Sequence, residues 1–164
     1  MQQTQGQKGF SLIELLIVVA IIGIIAAIAI PNLLASRRAA NEGSAQSSLR
    51  TIHSAQATYQ ATTGNGAFGT LAQLDAADLI DPVLGTGVKS GYNFTIPAAD
   101  LVAPGVGVLA QFMAQSDPQV DAGVSQSGTR QFCVTEDGVM RGGVGVAAVA
   151  DRAACGLLNA LGNQ

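Results

Sequence analysis

The sequence predicts an α+β protein in which one long N-terminal helix packs on a small antiparallel β-sheet head. An almost unbroken apolar run, an amphipathic stretch after it and short alternating segments in the second half support this prediction. The predicted segments are a polar leader, the membrane half of the helix, its amphipathic continuation, and a globular head with a C-terminal loop, at residues 1–9, 10–34, 35–63 and 64–164.

The composition fits a chain that is partly in a membrane. Charged residues make up 12% of the 164 residues, against about 25% in an ordinary soluble domain. The net charge of -3 offers no basic surface for a nucleic-acid partner. The chain has one histidine, which is too few for a metal site built from several histidines and disfavours a catalytic triad. The sequence therefore predicts no catalytic residues, no cofactor, no metal site and no enzymatic activity.

The apolar run from Phe10 to Leu34 is long enough to cross a bilayer, which takes about 20 residues in a helix. An ordinary secretory signal has a shorter apolar core, of roughly 7–15 residues. Lys8 favours a cytoplasmic start, whereas Arg37 and Arg38 on the far side oppose that orientation. The residues that interrupt the run are Glu14, Gly23, Pro31 and Asn32.

Glu14 is the one ionisable residue inside the apolar run. A carboxylate in hydrocarbon is costly, so an intramembrane acid is a functional candidate that needs a partner. The alternative is a carboxylate that reaches back to the membrane surface. The surrounding residues, Lys8-Gly9-Phe10-Ser11-Leu12-Ile13-Glu14-Leu15, resemble the processing and assembly motif of type IV prepilins. The resemblance is close from Gln7 to about Leu34 and fades through about Gly64.

The resemblance implies a specific processing reaction and a specific contact. A prepilin peptidase would cut between Gly9 and Phe10 on the cytoplasmic face and methylate the new amine of Phe10. Glu14 would then pair with the Phe10 amine of a neighbouring copy in a filament. The implied partners are copies of the same chain, the peptidase and inner-membrane assembly machinery. The precursor would cross the inner membrane once, and the mature subunit would lie in an extracellular filament.

Gly23 and Pro31 match positions that bound a locally melted stretch of helix in related pilins. Proline removes a backbone donor and disfavours helical angles in the preceding residue. The resemblance therefore implies melting between these two residues, and a simple kink is the alternative.

The amphipathic half predicts a buried stripe on the distal part of the helix. The stripe recurs at three- and four-residue spacing and consists of Ala45, Leu49, Ile52, Gln56 and Tyr59. Gly64-Asn65-Gly66 supplies the helix stop. In the head, the alternation predicts a short helix or turn at 70–80 and strands at 92–96, 107–114, 130–135 and 139–141.

Cys133 and Cys155 both lie in the part of the chain that would be exported. An oxidising compartment favours a disulfide between them over two free thiols. A C-terminal disulfide is also common in pilins, which adds support through the resemblance. Asp75, Asp78 and Asp81 supply only part of the oxygen ligands that calcium needs, so a surface role is favoured.

The resemblance leaves more than one function open. The favoured one is a structural pilin that builds a surface fibre for adhesion, motility or DNA uptake. The alternatives are a pseudopilin of type II secretion and a minor or priming pilin. The major secretion pseudopilins carry a calcium-binding C-terminal loop and generally lack the disulfide, so Cys133 and Cys155 favour the pilin.

Overall fold

The computed structural model describes residues 9–145 and 148–161, and it confirms the predicted α+β class. The predicted leader, apart from Gly9, lies outside the described residues. The chain forms two compact units, residues 1–36 and 37–164, and each is described separately. The first helix, α1, belongs to both units. The remaining elements belong to the second unit, which we call the head.

The helices and strands follow one another in a simple order. The helices are α1 (Leu12–Ala61), α2 (Leu71–Ala76), α3 (Pro82–Gly85) and α4 (Arg152–Leu157). The strands are β1 (Val88–Lys89), β2 (Tyr92–Thr95), β3 (Met113–Pro118), β4 (Arg130–Thr135), β5 (Met140–Val144) and β6 (Asn159–Ala160). The six strands form one antiparallel sheet in which each strand pairs with the next along the chain.

The predicted stripe on α1 is confirmed, because all five of its residues are buried in the head. The core that they join includes Leu74, Leu84, Tyr92, Phe94, Phe112, Phe132 and Val134. Gln56 is polar and yet fully buried. Its amide donates to the carbonyl of Gly69 at 2.6 Å and accepts from the Gly69 N–H at 2.9 Å, so both of its polar atoms are satisfied.

The other face of the sheet is covered by the C-terminal segment. Because side chains alternate along a strand, Met113 and Cys133 point away from the face that carries Ala114, Phe132 and Val134. Met113 and Cys133 pack with Val149 and Cys155 in a second buried cluster. A disulfide joins Cys133 in β4 to Cys155 in α4, and β6 pairs with β5 and forms one edge of the sheet.

One predicted strand is misplaced. The alternation predicts a strand at 107–114, but the regular strand begins at Met113 and continues to Pro118. The preceding residues form a loop with isolated bridges between Val102 and Gln111 and between Gly105 and Val108. Gly107 has a φ of +77°, which turns the chain in a way that a regular strand does not allow. The apolar character of this loop imitates a strand although Val106 and Leu109 are exposed.

Two other segments differ in detail. Strand β1 lies in the glycine-rich stretch at 85–90, where the alternation predicts no strand. The predicted helix at 70–80 ends at Ala76, and Pro82 then starts α3. Both short helices have a side-chain N-cap, because Thr70 accepts from the N–H of Gln73 and Asp81 accepts from the N–H of Leu84.

The disulfide predicts a measurable contribution to the stability of the head. The two cysteines are 22 residues apart in sequence, and closing a loop of that length stabilises a fold by roughly 3–4 kcal/mol in the chain-entropy model. We expect the double variant Cys133→Ala, Cys155→Ala to unfold at a lower denaturant concentration with a free energy of unfolding reduced by about that amount. Free thiols that titrate in the purified native protein would contradict the bridge.

Candidate functional site

The exposed apolar surface of α1 in the first unit is the most unusual surface of the chain. Its best 18-residue window has a mean hydropathy of 3.1, and none of that window is buried. The large apolar side chains from Phe10 to Leu33 are each between 48% and 84% exposed. Burying one such side chain is worth about 1.5–3 kcal/mol, so this surface requires lipid or protein around it. By length and composition, the helix can cross a membrane.

The start of this helix presents the predicted processing residues. Gly9, Phe10 and Ser11 are not helical, and α1 begins at Leu12. The N–H of Leu15 donates to the carbonyl of Ser11 at 3.2 Å. The peptide bond between Gly9 and Phe10 is therefore outside the helix, with both residues exposed. A peptidase that binds extended backbone would not have to unwind α1 to reach this bond.

Position 9 has open space around it in the part of the chain that the structure describes. A Cβ built on Gly9 has no heavy atom within 4 Å. The described structure therefore gives no internal reason for glycine at this position. Any requirement for a small residue there would belong to an enzyme that recognises the bond.

Glu14 lies in the first turn of α1 and is exposed. The N-terminus of a helix carries partial positive charge, which favours a carboxylate at this place. Among the described residues, no Lys or Arg forms an ion pair with Glu14. Its carboxylate is therefore available to a cation from outside the chain.

The helix continues through both Gly23 and Pro31. A Cβ on Gly23 would have open space around it, and Pro31 lies inside α1. Melting or a kink between these residues stays a prediction for the assembled state. Pro31 removes one intrahelical hydrogen-bond donor from α1.

In the head, the start of the distal half of α1 is tied to a loop of the sheet by two side chains. Asn41 donates to the carbonyl of Ser127 at 2.9 Å. The carboxylate of Glu42 accepts from both the N–H and the hydroxyl of Thr129 at 2.9 Å. The sequence gives no signal for these contacts because the partners are 86 or 87 residues apart.

The turn between β4 and β5 carries two ion pairs. Arg141 binds Asp137 at 2.6 Å, and Arg152 at the start of α4 binds Glu136. The hydrogen bond from Arg141 lowers the pKa of Asp137 to about 2. Burial is the largest single influence on Glu136 and raises its pKa, but the hydrogen bond and charge of Arg152 together with hydrogen bonds from the backbone of Glu136 and Phe112 outweigh it, and the pKa is lowered. The pair with Arg152 fixes the start of the C-terminal segment beside the sheet.

The three aspartates of the second quarter of the chain do not form a metal site. Asp81 caps α3 and pairs with Lys89 at 2.8 Å. Asp78 follows α2 with a φ of +55°, and Asp75 lies beside Gly85. Within residues 9–145 and 148–161, no group of three or more His, Cys, Asp or Glu side chains is arranged to hold a metal ion.

Comparison with known proteins points to one family. Residues 4–30 match the family model described as the prokaryotic N-terminal methylation motif. The chain is 32% identical over 131 residues to the type IV major pilin protein PilA of Myxococcus xanthus, a match that covers 66% of this chain and 60% of that protein. The chain thus spans less than two thirds of the length of that relative.

Two further relatives differ in what they share with the chain. The type II secretion system core protein G of Escherichia coli is 31% identical over 104 residues, which cover 60% of this chain and 69% of that protein. The type IV wide pilus major component PilA4 of Thermus thermophilus is 71% identical over 35 residues, which cover 21% of this chain and 27% of that protein. No solved structure matches the chain.

The Asp137–Arg141 pair predicts how the stability of the head depends on pH. Because the folded-state pKa of Asp137 is below its ordinary value of 3.8, its ionised form stabilises the head above about pH 4, and this contribution is lost as the pH falls toward about 2. We expect Asp137→Asn to lower the melting temperature at neutral pH and to match the wild type near pH 2.

The matched control is Asp121→Asn, since Asp121 makes no ion pair among the described residues. Thermal unfolding of the purified proteins followed by circular dichroism measures the effect. A difference between Asp137→Asn and wild type that stays constant from about pH 6 to about pH 2 would rule out this linkage.

Proposed function

This chain belongs to the type IV pilin-like family, which pilins share with the pseudopilins of type II secretion, and we propose that it is a structural subunit of a type IV pilus filament. The observation that carries the proposal is the apolar surface of α1, which the other described residues leave exposed and which begins at an exposed Phe10. A polymer whose subunits pack these helices together replaces lipid with protein around each one. The chain then acts by assembly and needs no catalytic site.

Processing between Gly9 and Phe10 is the first step of the proposed pathway. Before it, the polar leader and Lys8 hold the start of the helix at the cytoplasmic surface. Cleavage by a prepilin peptidase frees the amine of Phe10, which the same enzyme would methylate. The exposed and non-helical backbone at Gly9 and Phe10 supports this step. The apolar helix remains on the mature subunit, in contrast to a secretory signal.

Glu14 then supplies the partner for the new amine in a neighbouring copy. An acid and an amine are each costly in an apolar environment and tolerable as a pair. Docking a subunit at any other register leaves both charges unpaired. The pair therefore sets the register of the helices, whereas the apolar side chains and helix packing supply most of the association energy.

A type II secretion pseudopilus is the second candidate, because the Escherichia coli core protein G covers a large part of the chain. The disulfide between Cys133 and Cys155 and the relatives described as pilus components support the pilus instead. Negative-stain microscopy of material sheared from cells discriminates the two. Deleting the gene removes surface fibres if the chain is a major pilin, and it blocks export of secreted enzymes while fibres persist if the chain is a pseudopilin.

The processing step predicts the mass of the mature N-terminus. We expect the first peptide of the mature protein to begin at Phe10 and to carry one added methyl group. Since a Cβ at position 9 would contact none of the described residues beyond its chain neighbours, Gly9→Ala and Gly9→Leu should fold alike, and any difference in cleavage reports on the peptidase. Cleavage is expected to fall further for Gly9→Leu than for Gly9→Ala. An intact leader on wild-type protein from cells would refute this step.

The Glu14 pair predicts a separation between processing and assembly. Breaking a buried ion pair costs about 3–5 kcal/mol because one charge is left without compensation, which corresponds to a loss of about 100-fold or more in association. We expect Glu14→Gln and Glu14→Ala to be exported and cleaved normally but to yield no filaments. Glu14→Asp keeps the charge and is the matched control, with part of the filament yield retained. Wild-type amounts of fibre from Glu14→Ala would refute the pairing.

A further inference from the structure

A hairpin between β2 and β3 is built from apolar residues. Paired backbone hydrogen bonds join its arms between Val102 and Gln111 and, next to the turn, between Gly105 and Val108. We call residues 102–111 the apolar hairpin, because none of its side chains except that of Gln111 is polar.

The apolar hairpin exposes most of its side chains. Val106, at the turn, is fully exposed, Leu109 is 83% exposed and Val108 is 47% exposed. Ala103 and Pro104 are exposed as well. Single apolar residues on a surface are normal, whereas a group of neighbouring ones marks a surface that another molecule covers. The hairpin is therefore a candidate interaction surface of the head.

The apolar hairpin lies at the end of the head where α1 ends. A Cβ built on Gly66 would be 3.4 Å from Cγ of Pro104, so the hairpin lies beside the turn that follows α1. Gln60, in the last turn of α1, donates to the carbonyl of the same Gly66 at 3.0 Å. The opposite end of the head lies near Asn41, roughly 28 Å from Gln60 along the helix at 1.5 Å per residue.

The Asn41 end of the head also exposes apolar side chains, and the first of these lie in the loop of residues 119–129. Asn41 donates to the carbonyl of Ser127 at 2.9 Å, which places the loop at this end. In the loop, Val120 is 39% exposed and Val124 is 79% exposed. The loop therefore offers apolar surface to a partner.

The end of β5 adds a third apolar side chain to the Asn41 end. The N–H of Gly145 donates to the carbonyl of Thr129 at 3.2 Å, and Val144 pairs with Arg130 at the start of β4. Val144 is 90% exposed. We call the three exposed valines of this end the valine surface: Val120, Val124 and Val144.

The apolar hairpin is too small to hold a free partner by itself. A stable interface between two proteins takes about 20–30 residues on each side, and the hairpin consists of residues 102–111 only. A small contact becomes effective when another contact already holds the partner nearby, since the effective concentration is then on the order of millimolar. In the proposed filament, the packed α1 helices hold the copies together in this way. The partner that fits is therefore a second copy of the chain.

The charges near the apolar hairpin in the sequence favour a protein partner over a lipid surface. Segments that bind anionic lipid surfaces place Lys and Arg beside their apolar residues. Between Lys89 and Arg130, the sequence has no basic residue. Its charged residues there are acidic: Asp100, Asp117 and Asp121. An anionic membrane would repel these side chains, whereas the valine surface presents no basic or acidic group of its own.

We propose that the apolar hairpin of one copy docks on the valine surface of a second copy. This inference rests on the proposed filament. The contact removes exposed apolar side chains of both ends of the head from water. Because it joins two different surfaces, it is heterologous, so it adds copies in one direction and does not close after two subunits. The heads thereby make an end-to-end contact of their own, in addition to the packing of α1.

Cysteine cross-linking in filaments tests the proposed contact. Cys133 and Cys155 are already joined, so cysteines added on the surface react with each other. Val106→Cys places one at the turn of the hairpin, and Val124→Cys places one on the valine surface, both at exposed positions. We expect filaments from cells that express the two variants together to give cross-linked dimers, and filaments of either variant alone to give none.

The matched control combines Val106→Cys with Val83→Cys. Val83 is 57% exposed in α3 and belongs to neither surface. We expect the yield of cross-linked dimers from this pair to be lower by about tenfold.

The outcomes separate the docking from the proposed function. Intact filaments that give no dimers with the test pair, or as many with the control pair, overturn the docking while the proposed function stands. Dimers from Val106→Cys alone would show that two hairpins meet each other, which overturns it as well. A wild-type strain without filaments overturns the proposed function itself.

The apolar character of the contact has a separate test. Val106→Ser together with Val108→Ser removes two exposed valines from the hairpin. Val83→Ser together with Val139→Ser makes the same change at exposed valines outside both surfaces. We expect both double variants to melt like the wild type as detergent-purified subunits. After mild heating of fibres, only the hairpin variant should lose about tenfold in the amount of chain that remains polymerised.

Two results of this second experiment contradict the docking. The first is an equal amount of polymerised chain for the hairpin variant and its control. The second is binding of wild-type fibres to phosphatidylcholine vesicles that the hairpin variant loses, in fibres that give no cross-link. That result would assign the apolar hairpin to a lipid surface instead of a second copy.

Discussion

The structure depends on one imbalance: α1 presents more apolar surface than its own chain covers. In the head, the sheet covers the stripe from Ala45 to Tyr59 completely. In the first unit, the large apolar side chains from Phe10 to Leu33 are all exposed. The hydrophobic effect is proportional to the area removed from water, so the first unit is driven into a membrane or against other copies. The head only has to remain folded and to stay attached to this helix.

The attachment of the head relies on a few polar contacts in addition to apolar packing. Gln56 fixes the turn after α1 to the helix by two hydrogen bonds to Gly69. Glu42 fixes the loop before β4 at the other end of the head. Removing either side chain leaves backbone groups without partners, which costs more than the bond itself contributes. Contacts at both ends of the distal helix therefore hold the sheet in one register on α1.

Much of this architecture could be predicted from local patterns in the sequence. The 3.6-residue period of the stripe from Ala45 to Tyr59 and the length of the apolar run identify the two halves of α1. The strand at Arg130–Thr135 was predicted with its observed bounds because its alternation and the Asp137-Gly138 turn agree. The 107–114 prediction was wrong because hydrophobicity alone does not distinguish a buried strand from the exposed loop at Val106 and Leu109.

The residues of the candidate site also include some that the sequence predicts and others that only the fold reveals. Glu14 could be identified as an acid inside an apolar run, whereas Gly9 and Phe10 were identified through the resemblance of Lys8–Leu15 to the type IV prepilin motif. The proposed roles of all three depend on partners outside the chain. The contact between Glu42 and Thr129 could not be predicted, since no local pattern links residues 87 positions apart.

The strand order determines the sequence in which parts of the head can fold. Because each strand from β1 to β6 pairs with its neighbour in sequence, the sheet can grow hairpin by hairpin. Short sequence separations between partners favour fast folding. The last step is different, since Cys155 and β6 join the sheet only after the chain is available as far as Ala160. A chain cut before Val149 therefore leaves Met113 and Cys133 without their partners in the second buried cluster.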